Sequence, residues 1–188
     1  MAIKVIILLG LKHSGKSTLG KTLATKLGYE FVDTDALIEE AVGMSVRDLY
    51  NQKGAAAFLE AEENVCKELA ESIGDRKMVI STGGGICDNP PALVHLKAAG
   101  DFIFLQNDLN ISVTRIVRKI DVGEDGKFTN VPAFIRNQNP QSIIDIKKML
   151  RAKFEEREEL YKKISDITVT LDDTSIEANL SSLLDAVN

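Results

Sequence analysis

Ile3-Lys4-Val5-Ile6-Ile7-Leu8-Leu9 runs directly into Gly10-Leu11-Lys12-His13-Ser14-Gly15-Lys16-Ser17. The first seven residues are a short, β-branched-rich and nearly unbroken apolar run, the pattern of a strand buried on both faces of a parallel sheet. The next eight satisfy G-x-x-x-x-G-K-[ST] in the place the physics requires, after a buried strand and before a segment of helical period. Gly10 and Gly15 let the backbone curl so that successive N–H groups face one point. The helix starting near Lys16 adds its positive end, and Lys16 itself supplies a mobile cation for the outer phosphates of a nucleotide. Ser17 is then placed to ligate Mg²⁺. A random chain of this length shows the pattern in about one case in a hundred or fewer. His13 is read as an exposed loop residue without a chemical role.

Working outward, strand-like runs recur at Tyr29 to Val32, Met78 to Ile80, Asp101 to Leu105 and Ile167 to Leu171, with segments of helical period between them. That alternation is the signature of an α/β fold with a parallel sheet. Helix ends are marked by Gly28 after the first helical run and by Asn89 before Pro90. Gly100 closes Pro91 to Ala99, and Asp108 or Asn107 precedes Leu109 to Lys119. A long charged helix is expected from about Ser142 to Lys163, and a last one from about Ser175 to Val187. Residues 120 to 140 break the alternation: they hold two glycines, two prolines and three asparagines without a clear period. Loops of that length inside a compact domain are usually functional lids or disordered segments.

The 188 residues, 44% hydrophobic and 27% charged, suit one globular domain and exclude disordered, collagen-like and low-complexity architectures. A net charge of -5 argues against binding nucleic acid by general electrostatics, so no nucleic-acid partner is expected. Two cysteines make no disulfide framework or metal cage and fit a reducing, cytoplasmic setting. The longest apolar stretch, Val5 to Leu11, falls far short of the roughly 20 residues that span a bilayer, so no membrane partner is expected.

Two further groups of residues point to a site. Met78-Val79-Ile80 ends in Ser81-Thr82-Gly83-Gly84-Gly85, where bare backbone can approach a ligand at the carboxyl edge of the sheet, although a flexible turn reads the same way. No acid stands there. Asp33-Thr34-Asp35, just after the strand Tyr29 to Val32, can supply it: Asp33 over a metal, Asp35 as acceptor of a proton from an incoming hydroxyl. The alternative for Asp35 is a helix N-cap ahead of Ala36 to Glu40. Arg157 falls on the apolar stripe of the long helix with Ile143, Ile146, Leu150, Phe154, Tyr161 and Ile164. It either pairs with a buried acid such as Glu62 or reads an anionic group of the substrate.

This ordered set resembles the shikimate kinase family, small enzymes related in fold to nucleoside monophosphate kinases. The resemblance covers nearly the whole chain. It is carried by Gly10 to Thr18, Asp33-Thr34-Asp35, the spacing from Gly54 through Phe58 to Glu62, the triple glycine 83 to 85, and Arg157-Glu158-Glu159-Leu160-Tyr161. It implies a three-layer P-loop kinase fold in a single domain, with a five-stranded parallel sheet of order 2-3-1-4-5. It further implies a substrate-binding helical region near residues 35 to 75 and a mobile lid near 120 to 135. The implied cofactors are ATP and Mg²⁺. By the resemblance Lys16 and Asp35 are catalytic; Gly10, Ser14, Gly15, Lys16, Ser17, Thr18 and Arg118 hold the nucleotide; Ser17 and Asp33 serve the metal. Asp35, Gly83, Gly84, Gly85 and Arg157 hold the acceptor, a hydroxylated, carboxylate-bearing small molecule, and the protein is expected to be a monomer.

The chain departs from the family at two cations. Leu59 stands where an arginine normally follows the phenylalanine matching Phe58, and Val131-Pro132-Ala133-Phe134 replaces a lid sequence that carries arginine. Arg118, Lys127 and Arg136 are the candidates to substitute. The leading expectation is an ATP-dependent kinase of shikimate. The alternatives are a kinase of another, less acidic hydroxylated metabolite and a nucleotide-binding module without turnover. The absence of Asn-Lys-x-Asp disfavours a GTPase.

Overall fold

β1 (Val5–Leu9) is buried along its whole length and forms the centre of the sheet. The computed structural model describes residues 3–123, 127–172 and 175–187. After β1 come α1 (Lys16–Leu27), β2 (Glu30–Asp33), α2 (Thr34–Val42), α3 (Val46–Ser72), β3 (Met78–Ser81), a 3-10 turn (Ile86–Asp88), α4 (Pro90–Ala99) and β4 (Asp101–Gln106). The second half holds α5 (Leu109–Val117), β5 (Asp121–Val122), β6 (Phe128–Thr129), α6 (Ala133–Arg136), α7 (Ile143–Ile164), β7 (Ile167–Thr170) and α8 (Ile176–Val187).

The main sheet is parallel in the order β2-β3-β1-β4-β7, which is 2-3-1-4-5 when its own strands are counted, as the resemblance implies. The unbroken apolar run of β1 follows from the two layers that cover it. Val5, Ile7 and Leu9 pack into one core with Ile80, Phe102, Phe104 and, from α7, Phe154 and Tyr161. Ile6 and Leu8 face the other way, into a core with Leu19 and Leu23 of α1 and Leu180 and Leu183 of α8. Alternate residues of one strand thus serve opposite cores, and no position is left for a polar side chain.

The helix ends fall where their residue types demand. Gly28 closes α1 at φ 68°, and Asn89 caps α4 ahead of Pro90 in the first turn. Asp108 rather than Asn107 caps α5, because Asn107 donates its side-chain amide to Ser112 Oγ instead. The helical region expected at 35 to 75 is α2 and α3, and α3 is broken at Gly54, whose φ of 85° and ψ of 178° are open only to glycine.

The irregular segment is more ordered than its composition suggests. β5 and β6 form a small antiparallel ribbon, and the short α6 follows; residues 124 to 126 of the expected lid lie outside the described residues. Val131 and Ile135 are buried in the larger core. The position where the family carries a lid arginine is therefore filled by a core side chain.

Candidate active site

The carboxyl edge of β1, β2 and β3 opens onto a cleft of about 670 Å³, whose walls include Lys16, Ser17, Asp33, Asp35 and Gly84. The loop after β1 bends back because Gly10 takes φ 154°, with the Leu105 carbonyl so close that a Cβ would meet it at 2.9 Å. Gly15, at φ 96°, begins α1 and no side chain caps that helix. The free N–H groups of its first turn are therefore available to an anion. Lys16 Nζ donates to the carbonyls of Gly10 (2.8 Å) and Leu11 (2.9 Å) and to Ser14 Oγ (3.4 Å). Burial pushes its ammonium down to about 8, against the attraction of Asp35 and Asp33. Thr18 also lines the cleft.

The register of β2 on β3 supplies the acid missing after β3, because Asp33 pairs directly with Ser81. Ser17 Oγ donates to Asp33 Oδ2 at 2.6 Å and lies 3.2 Å from Ser81 Oγ. One hydroxyl and one carboxylate, both hard oxygen donors, suit Mg²⁺, which keeps waters and substrate phosphates in its shell rather than a full protein cage. Among the described residues no cluster of three His, Cys, Asp or Glu offers such a cage.

The alternative reading of Asp35 as an N-cap is corrected by the structure. Asp33 caps α2, accepting the Asp35 N–H at 3.1 Å, and this leaves the Asp35 carboxylate to face the cleft. Burial first, and then the neighbouring Asp33, raise the affinity of Asp35 for a proton, while Lys16 and Lys12 oppose them.

The triple glycine is required for space rather than for φ, since none of the three lies in the left-handed region. A Cβ on Gly83 would stand 2.8 Å from Asp35 Oδ1, one on Gly84 would stand 2.6 Å from Lys12 N, and one on Gly85 would stand 2.9 Å from an Arg157 nitrogen. Three functional elements therefore converge on one bare turn. The Gly83 N–H is already spent on Thr34 Oγ1 (3.3 Å), which leaves Gly84 and Gly85 to offer theirs.

Arg157 is buried, but its partner is not Glu62. It donates to Asp88 Oδ2 (2.9 Å) and to the Gly84 carbonyl (3.2 Å), and the Phe134 ring lies 4.8 Å from its guanidinium. Its Nε has no partner among the described residues. Glu62 instead accepts from Asn89 Nδ2 at 2.9 Å. Arg157 packs beneath the triple glycine and is not among the residues lining the main cleft.

Of the three cations considered as substitutes, only Arg118 lines the cleft. Arg136 bonds the Asn51 side chain, and Lys127 stands at the base of the β5–β6 ribbon, where its carbonyl accepts from the Gly123 N–H. Three cations absent from the sequence reading also line the cleft: Lys12, Arg115 and Lys119. Arg115 was legible, since it precedes Arg118 and Lys119 by three and four residues and so shares their helix face. Lys12 occupies a variable loop position and gave no such signal. His13 is half-buried on the cleft, not exposed; its carbonyl accepts from Arg115 at 2.8 Å. Burial and the surrounding lysines push its imidazole down to about 4, so it stays neutral at pH 7.

Comparison with known proteins agrees with this geometry. The family model described as shikimate kinase matches residues 12–188. The shikimate kinase of Sulfurihydrogenibium sp. is 35% identical over 170 residues, covering 90% of this chain and 89% of that protein. Among solved structures, shikimate kinase from Acinetobacter baumannii in complex with shikimate superposes with a TM-score of 0.77 at 25% identity, covering 97% of this chain and 92% of that one. Shikimate kinase from Aquifex aeolicus gives a TM-score of 0.70 at 30% identity over 96% of this chain and 94% of that one. With the sheet order, the phosphate loop and the paired aspartates in place, the chain belongs to the shikimate kinase family.

Proposed function

We propose that the protein transfers the terminal phosphoryl group of ATP to a hydroxyl of shikimate. The observation that carries this reading is the placement of Lys16 and Asp35, nineteen positions apart on separate strand ends, as walls of one cleft. Lys16, with Gly10, Ser14, Gly15, Ser17 and Thr18, holds the phosphates, and Arg118 stands with them on the α5 side. Lys16 leaves the loop carbonyls that hold it in the free protein and follows the charge of the departing phosphoryl group. Asp35 accepts the hydroxyl proton, a role helped by burial and by the absence of any cap duty. Ser17 and Asp33 would hold Mg²⁺, which supplies positive charge to the phosphate oxygens. Gly83, Gly84, Gly85 and Arg157 form the floor under the acceptor.

The same reading takes the protein as a cytoplasmic monomer. Both cysteines are free and buried, as suits a reducing compartment, and no helix among the described residues is long and apolar enough to cross a membrane. The large exposed apolar side chains among the described residues, Val94, Val122, Ile144 and Ile176, lie on four different elements.

The test is ADP release with shikimate, with phosphorylated shikimate identified by mass. Lys16→Ala abolishes turnover, and Asp35→Asn lowers kcat by about 100-fold or more while nucleotide affinity holds. Unchanged turnover in Asp35→Asn removes the base from this scheme. One observation favours a second acceptor, less acidic than shikimate: Leu59 is apolar and Arg157 already holds Asp88. A polyol that outcompetes shikimate in the same assay would establish it.

A further inference from the structure

The charge balance of the cleft is uneven. Lys16 is tied to three oxygens of its own loop, whereas the ammonium of Lys12 has no hydrogen-bond or ion-pair partner among the described residues, although Lys12 lines the same cleft. Its backbone is fixed: the loop at Lys12 packs on Gly84 so closely that a Cβ on that glycine would stand 2.6 Å from Lys12 N and 2.8 Å from its Cα. The side chain therefore leaves from the seam between the phosphate loop and the triple glycine. His13, next in the chain, is held toward α5 through its carbonyl bond to Arg115, so the two neighbours serve different walls.

Partial burial first, and then Lys119, Arg47 and Arg157, lower the pKa of Lys12, and Asp35 opposes them. A cation held among like charges, with nothing paired to it, is electrostatically prepared for a group carrying more than one negative charge. The structure also sets aside the lid as a competing source, whereas Arg115, Arg118 and Lys119 share the cleft on the side of α5. Val131 is a core residue, and Arg136 is engaged with Asn51 away from the cleft.

We propose that Lys12 is the cation that meets the transferring phosphoryl group on its acceptor side, in place of the arginine the chain lacks in its lid. The proposal rests on the phosphoryl-transfer reading above. In the step, the bond between the terminal phosphorus and its bridging oxygen breaks and ADP leaves with that electron pair. A bond forms from the acceptor oxygen to phosphorus, and the acceptor's proton passes to the Asp35 carboxylate. Lys12 donates to a non-bridging oxygen throughout and gives up no proton. Lys16 serves the donor side of the same group, so the two lysines bracket it.

Lys12→Gln keeps the aliphatic stem and removes the charge; Lys12→Arg restores the charge. Two readouts are taken on each: kcat for phosphorylation of shikimate, and the ratio of affinities for the β,γ-imido analogue of ATP and for ADP, both with Mg²⁺, by calorimetry. Lys12→Gln is expected to lower kcat about 10- to 100-fold. It should also shrink the preference for the analogue over ADP about five-fold or more, with ADP affinity preserved as the sign of an intact loop. Lys12→Arg recovers most of both. Wild-type kcat and an unchanged affinity ratio in Lys12→Gln would overturn the proposal. So would equal losses for ADP and the analogue, which would make Lys12 a support of the loop, or losses in Arg136→Gln with none in Lys12→Gln. If the wild-type protein releases no phosphorylated shikimate but Lys12→Gln still loses its preference for the analogue, the acceptor assignment falls and the role of Lys12 stands.

Discussion

Glu62 is 1% exposed, and its Oε1 has no hydrogen-bond partner among the described residues. Burial pushes its carboxyl up to about 7, helped by Asp35 and Asp88 and opposed by the Asn89 hydrogen bond and Arg157. The folded state therefore keeps a proton that the unfolded chain releases near its ordinary value of 4.5. The stability this contributes is complete below that value and is lost as pH rises through about 7. Glu62→Gln places an amide where the neutral acid would be. It should match the wild type in chemical denaturation near pH 4.5 and exceed it by roughly 3 kcal/mol at pH 8. A stability difference independent of pH would show that Glu62 does not titrate in this range. Leu59 stands three residues earlier on α3, on the same face, so an arginine there can reach both the unpaired Glu62 oxygen and an acceptor carboxylate. Leu59→Arg should raise kcat/KM for shikimate about 10- to 100-fold, the value of a charged hydrogen-bonded contact. An unchanged or lower value would mean that the pocket is shaped for a different acceptor. Arg157 shows the limit of reading one residue at a time. Its inward position follows from the stripe on α7, but the choice of Asp88 over Glu62 depends on how α3 and the 3-10 turn meet, which no local pattern records.

At the scale of elements, the central strands β1, β3 and β4 were legible because each is a short apolar run covered on both faces, and the helix ends because Gly28, Asn89 and Asp108 carry their own conformational reasons. α3 was harder, since its break is a single glycine inside a good helical sequence. Gly54 has open space around it, so a methyl group meets nothing there; the penalty comes from φ 85° and ψ 178° alone. Gly54→Ala should destabilise the fold by about 1–3 kcal/mol, lowering Tm by about 2–10 °C. An unchanged Tm would mean that α3 can straighten, which would displace Arg47 from Asn130 and reveal itself in the acceptor KM. Composition marks residues 120 to 140 as a lid or a disordered segment, and the resemblance puts a lid near 120 to 135, but neither reports that Val131 and Ile135 anchor its far end. Hydrogen exchange should separate the two parts. In the free protein, amides of residues 121–123 and 127–130, on an exposed ribbon, exchange about ten-fold or more faster than those of residues 135–137 beside the core, and ATP with shikimate slows them. Uniform protection across 121–137 without ligand would remove the lid.

In the whole molecule, the site exists because four separated pieces of chain are brought to one sheet edge. The nucleotide half was readable, since the phosphate loop is contiguous and its chemistry is written in consecutive residues. The acceptor half was readable only as a set of glycines and acids. The part each plays depends on the Asp33–Ser81 register and on the packing of the triple glycine against Lys12, Asp35 and Arg157. That packing joins the two halves mechanically. A methyl group on Gly84 has no flexible side-chain end to push aside, because its nearest neighbours are the backbone N and Cα of Lys12 at 2.6 and 2.8 Å. Relief must come from moving either the phosphate loop or the turn that carries the acceptor floor. Gly84→Ala should therefore weaken ATP and shikimate together, each about ten-fold or more, whereas Leu59→Arg alters shikimate alone. Calorimetry of each ligand separately decides the matter. If Gly84→Ala leaves ATP affinity at the wild-type value, the phosphate loop and the acceptor floor are independent, and the shared seam has no part in holding the transferring group between Lys16 and Asp35.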